Sequence, residues 1–190
     1  GGILYLFSPE NRKIYRRDTA TGDHLNPFLV GRDKWLDSAT PAAMIYHRSH
    51  DRLYLSYDNG DMNYVDLSGE PEEMRLASAP GRIGGMADVG NFLLVQDDTG
   101  AWNSHHIFDK SGGLRASVEW NRYSRAYAWN PTLSRVYFFR DQTSPNDLHY
   151  EEIDQVTGEI VSSGETPYHG GYPIVPPIRV SQDGASLLLG

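Results

Sequence analysis

The chain contains no cysteine. That excludes a disulfide scaffold and every thiolate metal site. It has no apolar run of about 18 residues, the length a membrane-spanning helix requires. It has no surplus of positive charge either. Its 17 Lys and Arg stand against 25 Asp and Glu, a formal net charge of −8. Phosphate backbones are bound mainly by basic surface, so the acidic balance argues against nucleic acid as a partner, and against anionic membranes too. No segment sustains the apolar period of an amphipathic helix. The start, Gly1-Gly2-Ile3-Leu4-Tyr5, lacks the basic leader and cleavage site of a signal peptide and reads as the inside of a strand.

Aromatic residues and turn formers are abundant instead. Twelve Tyr, six Phe and four Trp accompany 19 Gly and 11 Pro. Aromatics fit the pleated, half-buried surface of strands, and Gly and Pro punctuate a chain that turns often. At 190 residues the chain is long enough to bury a sizeable core.

A repeat organises these residues. Four segments end in an aspartate and a small-residue turn. They are Ile14–Asp18 with Thr21-Gly22, Asn63–Asp66 with Ser68-Gly69, His106–Asp109 with Ser111-Gly112, and Glu151–Asp154 with Thr157-Gly158. The aspartates recur about every 45 residues, the period of propeller blades. Each carboxylate can accept backbone N–H groups two residues on, and the glycine supplies a left-handed position.

An apolar strand precedes each aspartate turn: Ile3–Phe7, Leu53–Tyr57, Phe92–Val95 and Val136–Phe139, with a fifth at Leu187–Leu189. Short continuous apolar runs bounded by turn residues predict strands buried on both faces. Asn59-Gly60 and its counterparts join these strands to the aspartate segments as hairpins. A further strand is predicted ahead of each, at Ala42–Tyr46, Ile83–Ala87, Ala126–Trp129 and Tyr172–Val175. More polar strands follow the turns, as at Glu73–Leu76 and Glu159–Ser162, which suits an outer edge.

The expected fold is therefore all-β, a β-propeller of four-stranded antiparallel blades in one domain spanning 1–190. The repeats fall at approximately 1–41, 42–83, 84–124 and 125–171, and a further blade starts at 172–190. About four blades are visible. Because the pattern starts and stops within a blade, the expectation is a piece of a larger propeller of six to eight blades.

The pattern resembles the YVTN-type repeat proteins, with quinoprotein-like propellers as neighbours. Leu53-Tyr54-Leu55, Val65-Asp66, Gln182-Asp183-Gly184, Asp18–Gly22 and Asp154–Gly158 carry the likeness. The Trp-Asp ending and Gly-His start of WD repeats are missing. The resemblance implies a periplasmic, cell-surface or secreted protein, with the cytoplasm as the other location, and a fold that more often binds than catalyses. Fold alone does not assign function.

Candidate sites follow from loop placement. The connections from a fourth strand to the next first strand share one face. They carry Trp35, Arg82, Trp120, Arg122, Tyr123, Tyr168, His169 and Tyr172. Trp, Tyr and Arg dominate binding hot spots, so this rim is the candidate recognition surface for a protein, peptide or glycan. The alternative is that the aromatics pack between blades and the Arg residues pair with local acids. The hairpins on the same face carry Glu10, Asp58, Asp61, Asp97, Asp98, Asp141 and Asp147. Such oxygens could hold a divalent cation, although Asp and Asn also favour turns for their own geometry. No metal site and no cofactor is assigned. His47 and His50, three apart, are expected on opposite sides of the chain, as are the adjacent His105 and His106.

No nucleophile elbow, P-loop, His-Glu-x-x-His or Gly-x-Gly-x-x-Gly occurs. The reading is a non-catalytic binding propeller. The alternative is a propeller hydrolase or oxidoreductase, of lactonase or quinoprotein type, with a divalent cation near its axis.

Overall fold

The computed structural model describes residues 2–31, 39–98, 104–118, 124–140, 146–170 and 177–190. The described residues form seventeen strands and no helix, hence no helix long and apolar enough to cross a membrane. The strands make five antiparallel sheets in chain order. The first is β1 (Ile3–Ser8), β2 (Lys13–Asp18) and β3 (His24–Leu29). The second is β4 (Pro41–His47), β5 (Arg52–Tyr57), β6 (Asp61–Asp66) and β7 (Glu73–Ser78). The third is β8 (Ile83–Asp88), β9 (Leu93–Asp97), β10 (His105–Phe108) and β11 (Leu114–Val118). The fourth is β12 (Ser124–Asn130), β13 (Arg135–Arg140), β14 (Asn146–Ile153) and β15 (Ile160–Gly170). The fifth pairs β16 (Ile178–Val180) with β17 (Leu187–Leu189). This is the meander order expected of blades. The predicted strand at Tyr172–Val175 lies outside the described residues, and the partner of β17 is Ile178–Val180 instead.

Alternation along the buried strands builds the core. Leu53, Leu55 and Tyr57 of β5 pack against the first sheet, with Ile14 and Val65. Tyr54, between them in sequence, points the other way and joins Met86, Leu93 and Val95 of the third sheet. Leu94 and Ile107 then meet Val136 and Ile153, and Tyr137 and Phe139 meet Ile178. Each middle sheet is therefore a wall shared by two apolar seams, which explains the continuous apolar runs. The first run departs from this. Tyr5 and Phe7 pack inward, while Leu4 and Leu6 are exposed, because no described sheet lies on their side.

The aspartate turns close as expected. The Asp18 carboxylate accepts from Ala20 N, Asp66 from Ser68 N, Asp109 from Ser111 N and Asp154 from Val156 N. Gly22, Gly112 and Gly158 then take φ of +80°, +86° and +79°, and each donates its N–H to the carbonyl of its aspartate. Gly69 departs from the expectation: it is not left-handed and makes no such bond to Asp66.

Candidate functional site

The inner strands β4, β8 and β12 are successive neighbours, and a cleft of about 810 Å³ opens along them. Its floor is the glycine pair of β8. A Cβ on Gly85 would lie 3.1 Å from Tyr127 Cε2 and 3.3 Å from Gln96 Oε1, so a larger residue would press on both side chains. Ile45, Met86 and Trp129 supply apolar wall, and Gln96 and Asp88 supply polar wall. Arg82 stands at the mouth. Its Nη2 donates to Asp98 Oδ2 at 2.9 Å, and both side chains remain partly exposed.

The carboxylates of the cleft are already engaged. Asp58 accepts from Thr40 N at 2.9 Å, Asp98 from Arg82, and Asp88 from Arg48 N and Gly90 N. Behind the cleft wall the Tyr127 hydroxyl lies 3.3 Å from His105 Nε2, and His105 Nδ1 lies 2.9 Å from Glu151 Oε2. His105 and Glu151 are fully buried, and the Phe138 ring crosses His105 edge-on at 4.9 Å. With Nδ1 donating to the carboxylate, Nε2 is left to accept from the phenol. The pair joins the third sheet to the fourth.

Of the residues expected on the recognition rim, Trp35, Trp120, Arg122, Tyr123 and Tyr172 lie outside the described residues. Arg82 lines the cleft. Tyr168 is exposed on β15 and is not in the cleft lining. His169 holds a backbone register position on β15 opposite Asp147. Among the hairpin acids, Asp58 and Asp98 reach the cleft, and Asp141 lies outside the described residues. Asp147 belongs to strand β14 rather than to the turn before it. There, with His149 and Glu165, it brings one ligand atom each to within 4.8 Å of the others. This is a possible metal-holding group that the sequence did not reveal. Asp-x-His on a strand is a visible signal; Glu165 joins them only through the register of β15.

The histidine pairs divide. His105 and His106 point to opposite faces of β10, as expected: His105 reaches Glu151 of the fourth sheet, and His106 turns away from it, to Ser117 and Asp97. His47 and His50 do not. Their rings stack at 3.7 Å with 9° between planes. The turn bond from Asp51 N to Arg48 O and the left-handed Asp51, at φ 51°, curl the chain back and superpose the two rings.

No protein-family model matches the sequence, and no curated protein does. Solved structures do. Kuenenia stuttgartiensis hydrazine synthase is 15% identical, with a TM-score of 0.69 over 98% of this chain and 51% of its own. A chain of the mitotic checkpoint complex is 13% identical, TM-score 0.59, over 85% of this chain and 47% of its own. The β-propeller domain of Myceliophteria thermophila Cps50 (Swd1) is 18% identical, TM-score 0.52, over 87% of this chain and 55% of its own. The fold is that of a β-propeller. At these identities the likeness carries the fold and nothing further. The chain spans about half the length of these propeller structures. The YVTN-type resemblance finds no support from a family model.

Proposed function

We propose that this propeller chain is a binding module whose inner cleft takes an extended peptide segment of a protein partner. The observation that carries the reading is the composition of the cleft. Apolar wall from Met86 and Trp129 alternates with a mouth pair, Arg82 and Asp98, in about 810 Å³. Peptide side chains need apolar contact to bind, and a peptide backbone or carboxylate needs a polar group such as the Arg82 fork to be oriented. An enzyme with a cation on the axis is less well supported, since the cleft carboxylates Asp58, Asp88 and Asp98 already hold N–H or guanidinium partners.

The test is selection of peptides from a random displayed library on the intact chain, with a glycan array run in parallel. Selected peptides should lose at least about tenfold in affinity, roughly 1.4 kcal/mol, to the Arg82→Glu, Trp129→Ala double variant. They should bind a Val156→Ser control, altered at a surface turn, as tightly as the original. Peptides that bind the double variant unchanged, or ligands found only on the glycan array, would refute the peptide reading.

A further inference from the structure

Asp147, His149 and Glu165 sit on the two outer strands of the fourth sheet, apart from the cleft-lining residues. Residues two apart on a strand share a face, so Asp147 and His149 of β14 lie side by side. Glu165 of β15 is the register partner of His149. The pairing then shifts, and the next pair is Asp147 with His169. Thr166, Pro167 and Tyr168 therefore stand opposite Leu148 alone. Pro167 has no N–H for the ladder, and Tyr168 N donates instead to Thr166 Oγ1 at 3.3 Å. A bulge of this kind bends its strand and re-aims side chains.

The result is one imidazole and two carboxylates whose donor atoms all lie within 4.8 Å. Asp147 and His149 are buried, and Glu165 is exposed. His149 stacks on Phe138 at 5.9 Å with 18° between rings, which restrains its plane. Two ligands held in a dry wall, with a third at the surface, leave a route for an ion to enter.

We infer that Asp147, His149 and Glu165 form a site for a divalent first-row transition ion of the zinc class, clamping β15 onto β14 beside the bulge. Imidazole with carboxylate suits zinc and its neighbours, whereas calcium and magnesium take oxygen ligands throughout. Three protein ligands leave a coordination position for water. The ion ties together two strands at the point where the bulge interrupts their ladder. It holds structure and does not enter the peptide-binding cleft, so the two proposals fail independently.

The experiment is equilibrium dialysis of zinc against the intact, metal-stripped chain, with cobalt(II) absorption as the coordination readout. One zinc per chain is expected, displaced by neither calcium nor magnesium, and accompanied by a rise in unfolding temperature. Glu165→Gln, at an exposed position that leaves the fold intact, should weaken binding more than about tenfold, the scale at which even outer-shell partners act. His149→Gln should also change the cobalt spectrum through loss of its nitrogen ligand. His24→Gln, at an exposed histidine elsewhere, should change neither. A folded original chain that binds no zinc would overturn the inference. So would Glu165→Gln and His149→Gln chains that bind it as tightly as the original.

Discussion

His47 and His50 show how burial decides what one side chain can do. Each ring is held by a backbone carbonyl of the turn between β8 and β9. His47 Nε2 donates to Phe92 O at 2.7 Å, and His50 Nε2 donates to Asn91 O at 2.9 Å. His50 Nδ1 then accepts from the Tyr54 hydroxyl at 2.6 Å. Burial brings His50 down from the usual 6.5 to about 4, against the pull of Asn91 O and helped by the neighbouring His47, Lys110 and Arg52. Burial also lowers His47, against Phe92 O and Asp88, and lowers His106, against Asp97. Below pH 6.5 the unfolded chain therefore binds protons at His50 that the folded chain refuses until about pH 4. Stability is fully kept above the unfolded value and falls as pH drops through this window. Urea midpoints measured between about pH 7.5 and pH 4.5 should decline, and His50→Gln should flatten part of that decline. An unchanged slope in the variant would remove His50 from the account.

Turns were the most legible elements, because their chemistry is local. An aspartate that accepts the backbone N–H two residues on closes its own loop whatever surrounds it. Asp109 illustrates the strength of the device. Burial works to raise its carboxyl, but the Ser111 hydroxyl, the N–H groups of Gly113 and Ser111 and the Arg115 guanidinium outweigh it and hold the group at about 2. What the motif conceals is its second task. A Cβ on Gly112 would stand 2.5 Å from Leu76 O, so the turn glycine also lets the third sheet abut β7 of the second. With the left-handed backbone and the clash together, Gly112→Ala should cost about 2 kcal/mol or more in chemical unfolding, beyond the ~1 kcal/mol of a simple glycine replacement. A loss within ~1 kcal/mol would mean that the sheets part easily at this point. The bulge opposite Leu148 is the reverse case. Pro167 hints at it, yet its consequence, Glu165 opposite His149, exists only once two strands have paired.

Across the molecule, stability resides in the seams. Every middle sheet gives one set of side chains to each neighbour, and polar links fasten the same joints. Asn91 N and Nδ2 donate to Gln155 Oε1 and O, and Asn130 Nδ2 donates to Gly184 O at 2.8 Å. Another of these links, His105 with Glu151, has both side chains fully buried. Removing one member of a buried pair strands the other, at a cost of about 3–5 kcal/mol, while replacing both by apolar groups is often near neutral. His105→Phe should therefore destabilise strongly, and His105→Phe with Glu151→Leu should recover much of the loss. Calorimetric or urea unfolding measures both. If the double variant is as unstable as the single one, the fit of the two side chains between the sheets, and not their bond to each other, is what the seam needs.

The sequence by itself determined the buried strands, their order and most turns, since alternation, apolar runs and aspartate-turn chemistry act over a few residues, while the partner of β17 at Ile178–Val180 escaped it. Leu53 to Tyr57 had to be a buried strand in any fold that used the repeat. It also excluded disulfides and thiolate metal sites, through the absence of cysteine. Tertiary structure alone decided the meetings: Arg82 with Asp98 at a cleft mouth, His47 over His50, His105 with Glu151, and Asp147 with His149 and Glu165. These contacts depend on register, on a two-residue offset in one strand and on the spacing of packed sheets. A one-residue slip sends every side chain of a strand to its other face, so such sites lie beyond what local preference can specify.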